Sequence, residues 1–226
     1  MSDLITLTAA HDGFSFTALH ADAKGARRGG VIVIQEIFGI DKYVQEDVAR
    51  WSDLGFEALA PSMFDRQEKG FTAHHDPEGV QKGVAHAMAN GPDNAMGDIA
   101  ACAAFLADRG PVFIVGYCYG GTMAWLAASR VAGLSAASSY YGGQVGAMAA
   151  LPLACPVIVH LGRKDAHIPA DEIKAKVEAA HADVPVYIYE GSGHGFNNDG
   201  VEAQDPADAK LARERTLALF AANGAA

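Results

Sequence analysis

The fold is decided by one stretch, which reads Val112-Phe113-Ile114-Val115-Gly116-Tyr117-Cys118-Tyr119-Gly120-Gly121. Its first four residues are apolar on both faces, which is typical of a strand buried inside a parallel sheet. A helical pattern from Gly120 to Arg130 follows directly. Glycines two residues before and after Cys118 leave room for a sharp reversal from strand to helix. The stretch therefore predicts a cysteine held in a strained turn at the carboxyl end of a strand.

Outward from this stretch, apolar strand-like runs alternate with helical patterns. The segment from Leu4 to Leu19 reads as a hairpin around Asp12-Gly13, expected at an antiparallel edge of a sheet. The other predicted strands are Val31–Gln35, Phe56–Ala60, Leu134–Tyr140, Val157–Leu161 and Val186–Tyr189. The other predicted helices are Tyr43–Leu54, Glu78–Ala89, Met96–Leu106, Asp171–His181 and Ala207–Ala222. This alternation predicts a doubly wound α/β architecture, and no linker, repeat or charge block divides residues 1–226, so a single domain is expected.

Composition limits the kinds of partner. The 226 residues are 50% hydrophobic and 19% charged, with a net charge of −10, as in ordinary globular proteins. That negative charge repels phosphate backbones and anionic lipid heads, so neither nucleic acid nor a membrane surface is expected as a partner. A small-molecule ligand is expected instead. Residues 1–13 lack a basic start followed by an apolar stretch, so they do not resemble a signal peptide. A cytoplasmic location is the expectation.

The three cysteines, Cys102, Cys118 and Cys155, form no even framework and show no zinc-like spacing, which fits free thiols in a reducing compartment. Cys118 taken alone reads as a buried structural thiol, but its turn favours a nucleophile. The N-terminus of the following helix favours negative charge on its sulfur. A phosphate-binding loop is excluded, because the stretch has no Gly-x-Gly-x-x-Gly or Gly-Lys-Ser/Thr spacing and carries two bulky tyrosines.

A cysteine nucleophile needs a base and an orienting carboxylate, and two later strands end in suitable residues. Asp165 follows the strand Val157–Leu161, and His194 follows the strand Val186–Tyr189. Both are expected at the carboxyl edge of the sheet, where open α/β sheets bind ligands. The remaining candidates are interpreted as structural: His160, His167 and His181 among the histidines, and Asp171 as the start of a helix. His74-His75 lacks a third ligand at a recognisable spacing, so no metal site is predicted.

Glu36 follows the strand Val31–Gln35 and is expected at the same edge of the sheet. From its spacing alone it reads equally well as a solvated loop acid and as a group of the site. The next backbone N–H, that of Ile37, lies where an oxyanion-hole donor is expected, with the N–H of Tyr119 as the second donor.

Four segments together resemble the dienelactone hydrolase family (carboxymethylenebutenolidases), over about Val31 to Phe220. They are Gln35-Glu36-Ile37-Phe38-Gly39, Gly116-Tyr117-Cys118-Tyr119-Gly120-Gly121, Tyr140-Tyr141-Gly142 and Gly193-His194-Gly195-Phe196. The resemblance implies an eight-stranded α/β-hydrolase core, usually monomeric, that opens lactone or ester bonds through an acyl-cysteine intermediate without metal or organic cofactor. It also implies that Glu36 contacts the nucleophile and takes the thiol proton when substrate binds.

The sequence departs from the family pattern where a substrate carboxylate would bind. Asn198 stands where an arginine is expected four residues after the histidine, and the helix Glu78–Ala89 offers only Lys82 and His86 as basic groups. The residues expected to contact substrate are Phe38, Tyr141, Asn198 and Lys82. Two alternatives to hydrolysis stay open: acyl or thioester transfer by the same triad, and a non-catalytic ligand or redox sensor with Cys118 as an oxidisable thiol.

Overall fold

The computed structural model describes residues 2–199 and 205–225, and an eight-stranded sheet forms its centre. The strands are β1 Ser2–Thr8, β2 Ser15–Ala21, β3 Gly29–Ile34, β4 Phe56–Pro61, β5 Val112–Tyr117, β6 Leu134–Tyr140, β7 Val157–Gly162 and β8 Val186–Tyr189. Their order is β1-β2-β4-β3-β5-β6-β7-β8. Strand β2 runs antiparallel to both of its neighbours, and the other pairs are parallel. The predicted α/β class and the N-terminal hairpin at an edge are confirmed.

Five α-helices connect and flank the strands in the described part of the chain. They are α1 Lys42–Asp53, α2 Pro77–Ala107, α3 Tyr119–Arg130, α4 Ala170–Ala180 and α5 Pro206–Ala222, and a 3-10 turn covers Val145–Ala147. Carboxylates begin several of them. The Asp41 side chain accepts from the Val44 N–H at the start of α1, and the Asp76 side chain accepts from the Gly79 N–H at the start of α2. These bonds satisfy N–H groups that have no acceptor within the helix. None of the described helices is long and apolar enough to cross a membrane.

Helix α2 joins the two helices predicted as Glu78–Ala89 and Met96–Leu106. Its halves meet at a kink at Gly91, whose φ of 68° lies in the left-handed region. Pro92 follows directly and has no N–H to continue the hydrogen-bond ladder. The sequence therefore predicted the two halves correctly, and the structure shows them as one bent element.

The core lies at the middle of the sheet, where β3, β4 and β5 are buried along their whole length. Phe113 of β5 stacks on Phe220 of α5 with ring centroids 4.3 Å apart. Trp51 of α1 packs against Phe220 at 5.7 Å, so α1 and α5 cover the sheet together. Each such side chain contributes about 1.5–3 kcal/mol when it is fully buried.

Strand β3 is the point at which the chain changes direction across the sheet, because its neighbours are β4 on one side and β5 on the other. Ile34 at the end of β3 is paired with Gly116 near the end of β5. Glu36 and Cys118 each stand two residues beyond this pair. A crevice at such a switch point is where doubly wound folds bind ligands.

Candidate active site

Cys118 occupies the strained turn that the sequence predicted between β5 and α3. Its φ of 54° and ψ of −111° place it in a region that non-glycine residues rarely adopt, at a cost of about 1–3 kcal/mol. The backbone on both sides holds it there. The Cys118 N–H donates to the Tyr140 carbonyl at 3.0 Å, and the Thr122 N–H donates to the Cys118 carbonyl at 3.1 Å. The thiol is thus presented at the carboxyl end of β5.

The glycines around Cys118 are required by close backbone contacts. A Cβ at Gly116 would lie 1.9 Å from the Gly120 carbonyl oxygen. A Cβ at Gly121 would lie 2.2 Å from the Tyr140 carbonyl oxygen. Any side chain at these positions would push α3 away from the strands and move the sulfur with it.

Asp165 and His194 meet as an orienting carboxylate and a base. His194 Nδ1–H donates to Asp165 Oδ2 at 2.7 Å, while Asp165 Oδ1 accepts from the N–H groups of His167 at 2.8 Å and Ile168 at 3.1 Å. The Asp165 side chain is fully buried. Burial opposes its charge, but the hydrogen bonds from His194 and from these N–H groups outweigh it and lower the pKa of Asp165.

His194 also lines the cavity that contains Cys118, so the imidazole, the sulfur and the Asp165 carboxylate belong to one site. Burial opposes a charged imidazole, but the hydrogen bond to Asp165 and the interaction with Cys118 outweigh it and raise the pKa of His194 to about 10. The surroundings of His194 therefore favour the protonated form of the imidazole.

Glu36 is buried, with 5% of its surface exposed, so the interpretation as a solvated loop acid is wrong. Asn198 Nδ2 donates to Glu36 Oε2 at 3.2 Å, and Glu36 lines the same cavity as Cys118. Burial raises the pKa of Glu36, although the nearby charges of His194 and His75 act against that rise. A carboxylate in this state is a better proton acceptor than one in water.

The two predicted oxyanion-hole donors flank Cys118. Tyr119 is the first residue of α3, so no carbonyl within the helix can accept its N–H. Ile37 lies in the turn after β3, and both residues line the cavity with Cys118. Helix α2 holds the Ile37 turn from behind, because a Cβ at Gly83 would lie only 2.1 Å from the Ile37 carbonyl oxygen.

These groups open into a cavity of about 720 Å³, a volume within the usual range for a drug-sized ligand. Its acid–base side chains are those of Glu36, His75, Cys118, His167 and His194. The remaining walls are mostly apolar and are contributed by Ile37, Phe38, Val80, Val84, Ala87, Met88, Met123 and Ile168. Among the described residues, no lysine or arginine lines it.

Of the four side chains expected to contact substrate, the structure brings Phe38 to the cavity wall. Tyr141 is buried behind His194, with ring centroids 4.9 Å apart. Asn198 is turned inward onto Glu36. Lys82 Nζ pairs with Glu68 Oε2 at 2.7 Å and does not line the cavity, because Val80 and Val84 occupy the face of α2 that does.

Two histidines that sequence reasoning did not assign to the site lie in its wall. His167, expected to be structural, lines the cavity with its ring 6.1 Å from that of His194; its position two residues after Asp165 was the available signal. The His75 ring stacks on that of Phe38 with ring centroids 3.8 Å apart. Its Nε2–H donates to Asp41 Oδ2 at 2.7 Å. No spacing in the sequence indicates this contact, because it depends on an isolated bridge between Gly39 and Thr72.

One cluster outside the cavity has ligand types suited to a metal, namely His20, Asp22 and Glu57. Glu57 lies near the amino end of β4, the opposite edge of the sheet from Cys118. Its carboxylate already accepts from His20 Nε2 at 2.9 Å and from Arg27 Nε at 2.8 Å. The cluster is therefore accounted for as an ion-pair network.

Known proteins are similar to this chain in sequence and in fold. The profile of the dienelactone hydrolase family matches residues 16–224. The carboxymethylenebutenolidase of Pseudomonas putida is 30% identical over 221 residues, which cover 93% of each chain. A Klebsiella pneumoniae subsp. pneumoniae MGH 78578 protein assigned as a dienelactone hydrolase has a crystal structure similar to this one, with a TM-score of 0.84, 28% identity, and coverage of 98% of this chain and 99% of that chain.

The fold likeness extends to more distant enzymes. An esterase from Pyrococcus furiosus matches with a TM-score of 0.68 at 12% identity, covering 99% of this chain and 92% of that chain, which shows a shared fold alone. The family match and the 30% identity with the Pseudomonas enzyme show the family as well as the fold. The chain therefore belongs to the dienelactone hydrolase family and is a lactone or ester hydrolase with the α/β-hydrolase fold.

Proposed function

We propose that this enzyme cleaves an ester or lactone bond of a small molecule through an acyl-cysteine intermediate. In this proposal Cys118 is the nucleophile, His194 the acid and base, and Asp165 the group that orients His194. The observation that carries the proposal is that three groups meet at one cavity: His194 bonds to Asp165 at 2.7 Å, and His194 and Cys118 line the same cavity. A nucleophile, a base and an orienting carboxylate gathered in this way are the recurring arrangement for acyl transfer.

The first half of the reaction forms the acyl-enzyme. The Cys118 sulfur attacks the carbonyl carbon, and the N–H groups of Ile37 and Tyr119 donate to the oxyanion that develops. Each such donor stabilises the transition state by about 3 kcal/mol. The carbon–oxygen bond then breaks while the imidazolium of His194 gives its proton to the leaving oxygen, which leaves an acyl-cysteine and a neutral imidazole.

The second half releases the acid. Neutral His194 takes a proton from water, the resulting hydroxide attacks the acyl carbon, and the Cys118 thiolate departs. Asp165 stabilises the imidazolium that forms again. Glu36 is proposed to take the thiol proton when substrate fills the cavity. Its burial, its raised pKa and its place in the same cavity support that role.

The test is the turnover of p-nitrophenyl acetate by the wild type and by two cysteine variants. Cys118→Ala should reduce kcat by at least about a thousandfold. Cys155→Ala is the matched control and should stay within about twofold of the wild type, because burial raises the pKa of that thiol to about 11 and leaves it a poor nucleophile.

Three results would contradict the assignment. Retained turnover in Cys118→Ala, or equal losses in both variants, would exclude Cys118 as the nucleophile. One-time modification of the wild-type thiol without turnover would favour a redox or ligand sensor. Faster product release on adding an alcohol or thiol, with the acyl group recovered on that acceptor in preference to water, would favour an acyl transferase.

A further inference from the structure

The first half of helix α2 carries an exposed apolar stripe. Val80, Val84 and Met88 follow one another at intervals of four residues, which places them on one face of the helix. They are 42%, 42% and 79% exposed. A helix face open to solvent normally carries polar side chains. All three line the cavity that contains Cys118, so the stripe forms a solvent-open wall of the site.

The rotation of the helix that turns this stripe toward Cys118 is fixed by two buried glycines. A Cβ at Gly79 would lie 1.9 Å from the His74 carbonyl oxygen, and a Cβ at Gly83 would lie 2.1 Å from that of Ile37. The helix backbone therefore rests directly on the segments before and beside it. Close contact of this kind leaves little freedom to turn the stripe away.

Other parts of the cavity wall are also apolar, with Met123 of α3 and Ile168 before α4 as their large side chains. The acid–base groups gather instead around Cys118 and Glu36. No described lysine or arginine lines the cavity, and residues 200–204, which lie outside the described ranges, contain neither by sequence. A substrate extension lying along α2 would thus meet methyl and methylene groups and no permanent cation.

We propose that the stripe is a binding subsite for an apolar alkyl or aryl substituent of the substrate, an inference that rests on the proposed function. The preferred substrates are then neutral esters or lactones with a hydrophobic chain. The cavity of about 720 Å³ is large enough for the reacting group together with such a chain. Each methylene that leaves water on the stripe contributes about 0.8 kcal/mol, which corresponds to a roughly fourfold gain in kcat/KM.

The experiment measures kcat/KM for p-nitrophenyl esters from acetate to hexanoate, and for acetate esters of alcohols from methanol to hexanol. In at least one series the wild-type value should rise by more than about tenfold, as it would if only two or three methylenes were buried. The double variant Val80→Thr/Val84→Thr keeps side-chain shape but adds hydroxyls. It should reduce that rise to less than about threefold.

Ala85→Thr is the matched control, because Ala85 is an exposed neighbour of Val84 on α2 that does not line the cavity. It should keep the full dependence on chain length. A flat dependence in the wild type with normal acetate turnover, or a rise that the double variant leaves intact, would overturn the subsite alone. Absence of turnover with every ester would overturn the proposed function. A wild-type dimer that dissociates in the double variant, with unchanged chain-length dependence, would assign the stripe to a contact between copies.

Discussion

Replacing Gly83 by alanine tests whether the Ile37 N–H takes part in catalysis. The new Cβ would lie 2.1 Å from the Ile37 carbonyl oxygen and 2.9 Å from its carbonyl carbon. Real contacts of this kind do not fall below 3.0 Å, so α2 or the Ile37 turn has to move by about 1 Å, a displacement that can cost a hundredfold in rate.

The size of the effect follows from the geometry of the donor. An oxyanion donor works at about 2.7 to 3.1 Å, so a movement of this size breaks most of its hydrogen bond. Loss of one donor lowers kcat by about 10²- to 10³-fold, or about 2.7–4 kcal/mol. We expect Gly83→Ala to lose about a hundredfold in kcat with little change in KM, because the bond forms in the transition state.

The assay measures kcat and KM for p-nitrophenyl acetate together with the thermal unfolding midpoint. Gly79→Ala is the matched control, because Gly79 lies on the same helix as Gly83. Its Cβ would clash with the His74 carbonyl oxygen at 1.9 Å and not with Ile37. Both variants should lose about 1–3 kcal/mol of stability, and Gly79→Ala should keep kcat within about fivefold. If Gly83→Ala is as stable as Gly79→Ala and turns over at the wild-type rate, the Ile37 N–H is not an oxyanion donor.

Three further outcomes follow from the site and the core. Glu36→Gln removes a buried carboxylate from the cavity that contains Cys118. Thiol alkylation by iodoacetamide at pH 6 should therefore rise roughly fivefold, the factor for about 1 kcal/mol of repulsion, while ester turnover falls. No change in either would leave Glu36 a structural group. Any advantage in kcat/KM of a carboxylate-bearing lactone over its neutral methyl ester should stay below about a hundredfold, because no described lysine or arginine lines the cavity and Asn198 cannot make the bidentate contact of an arginine. A larger wild-type ratio would reveal a charged anchor. Burial, with the nearby charge of Arg215, lowers the pKa of His160 to about 3. This histidine therefore binds a proton more readily in the unfolded chain than in the folded one. The contribution of neutral His160 to the free energy of unfolding is fully present above pH 6.5 and falls by about 2 kcal/mol between pH 7 and pH 5. The free energy of unfolding in urea, measured for His160→Gln, should lack that part of the pH dependence. The same pH dependence in this variant as in the wild type would contradict the assignment to His160.

The features that were predicted from sequence are those that short segments determine. Cys118 could be located because a buried strand, two glycines and a helical pattern surround it within ten residues. The carboxyl-edge positions of Asp165 and His194 follow from the strands that precede them. The parallel sheet follows from strands that are apolar on both faces, such as β5.

What could not be predicted depends on contacts between distant segments. The rotation of α2, which turns Val84 toward the cavity and Lys82 away from it, is set by Gly83 against Ile37. His75 reaches Phe38 because the chain folds back at the bridge between Gly39 and Thr72. Spacing along the chain carries no information about such approaches, since both partners must first be placed by the fold.

The inward turn of Asn198 has the same origin. The loop after β8 bends so that the Asn198 N–H donates to the Gly195 carbonyl at 2.8 Å, and the side chain then reaches Glu36. The sequence indicated correctly that no arginine stands at this position. It could not indicate that the amide would bond to the buried carboxylate in place of a substrate.

The most direct test of the central claim is to capture the acyl group on the enzyme. His194→Gln should still be acylated by an activated aryl ester, because p-nitrophenolate leaves without a general acid, but it should deacylate slowly for want of a base. Intact-protein and peptide mass spectrometry after acid quenching should find one acyl group on Cys118, and none on the double variant Cys118→Ala/His194→Gln. An acyl group on another residue, or wild-type turnover with no adduct on Cys118 at any quench time, would contradict the account.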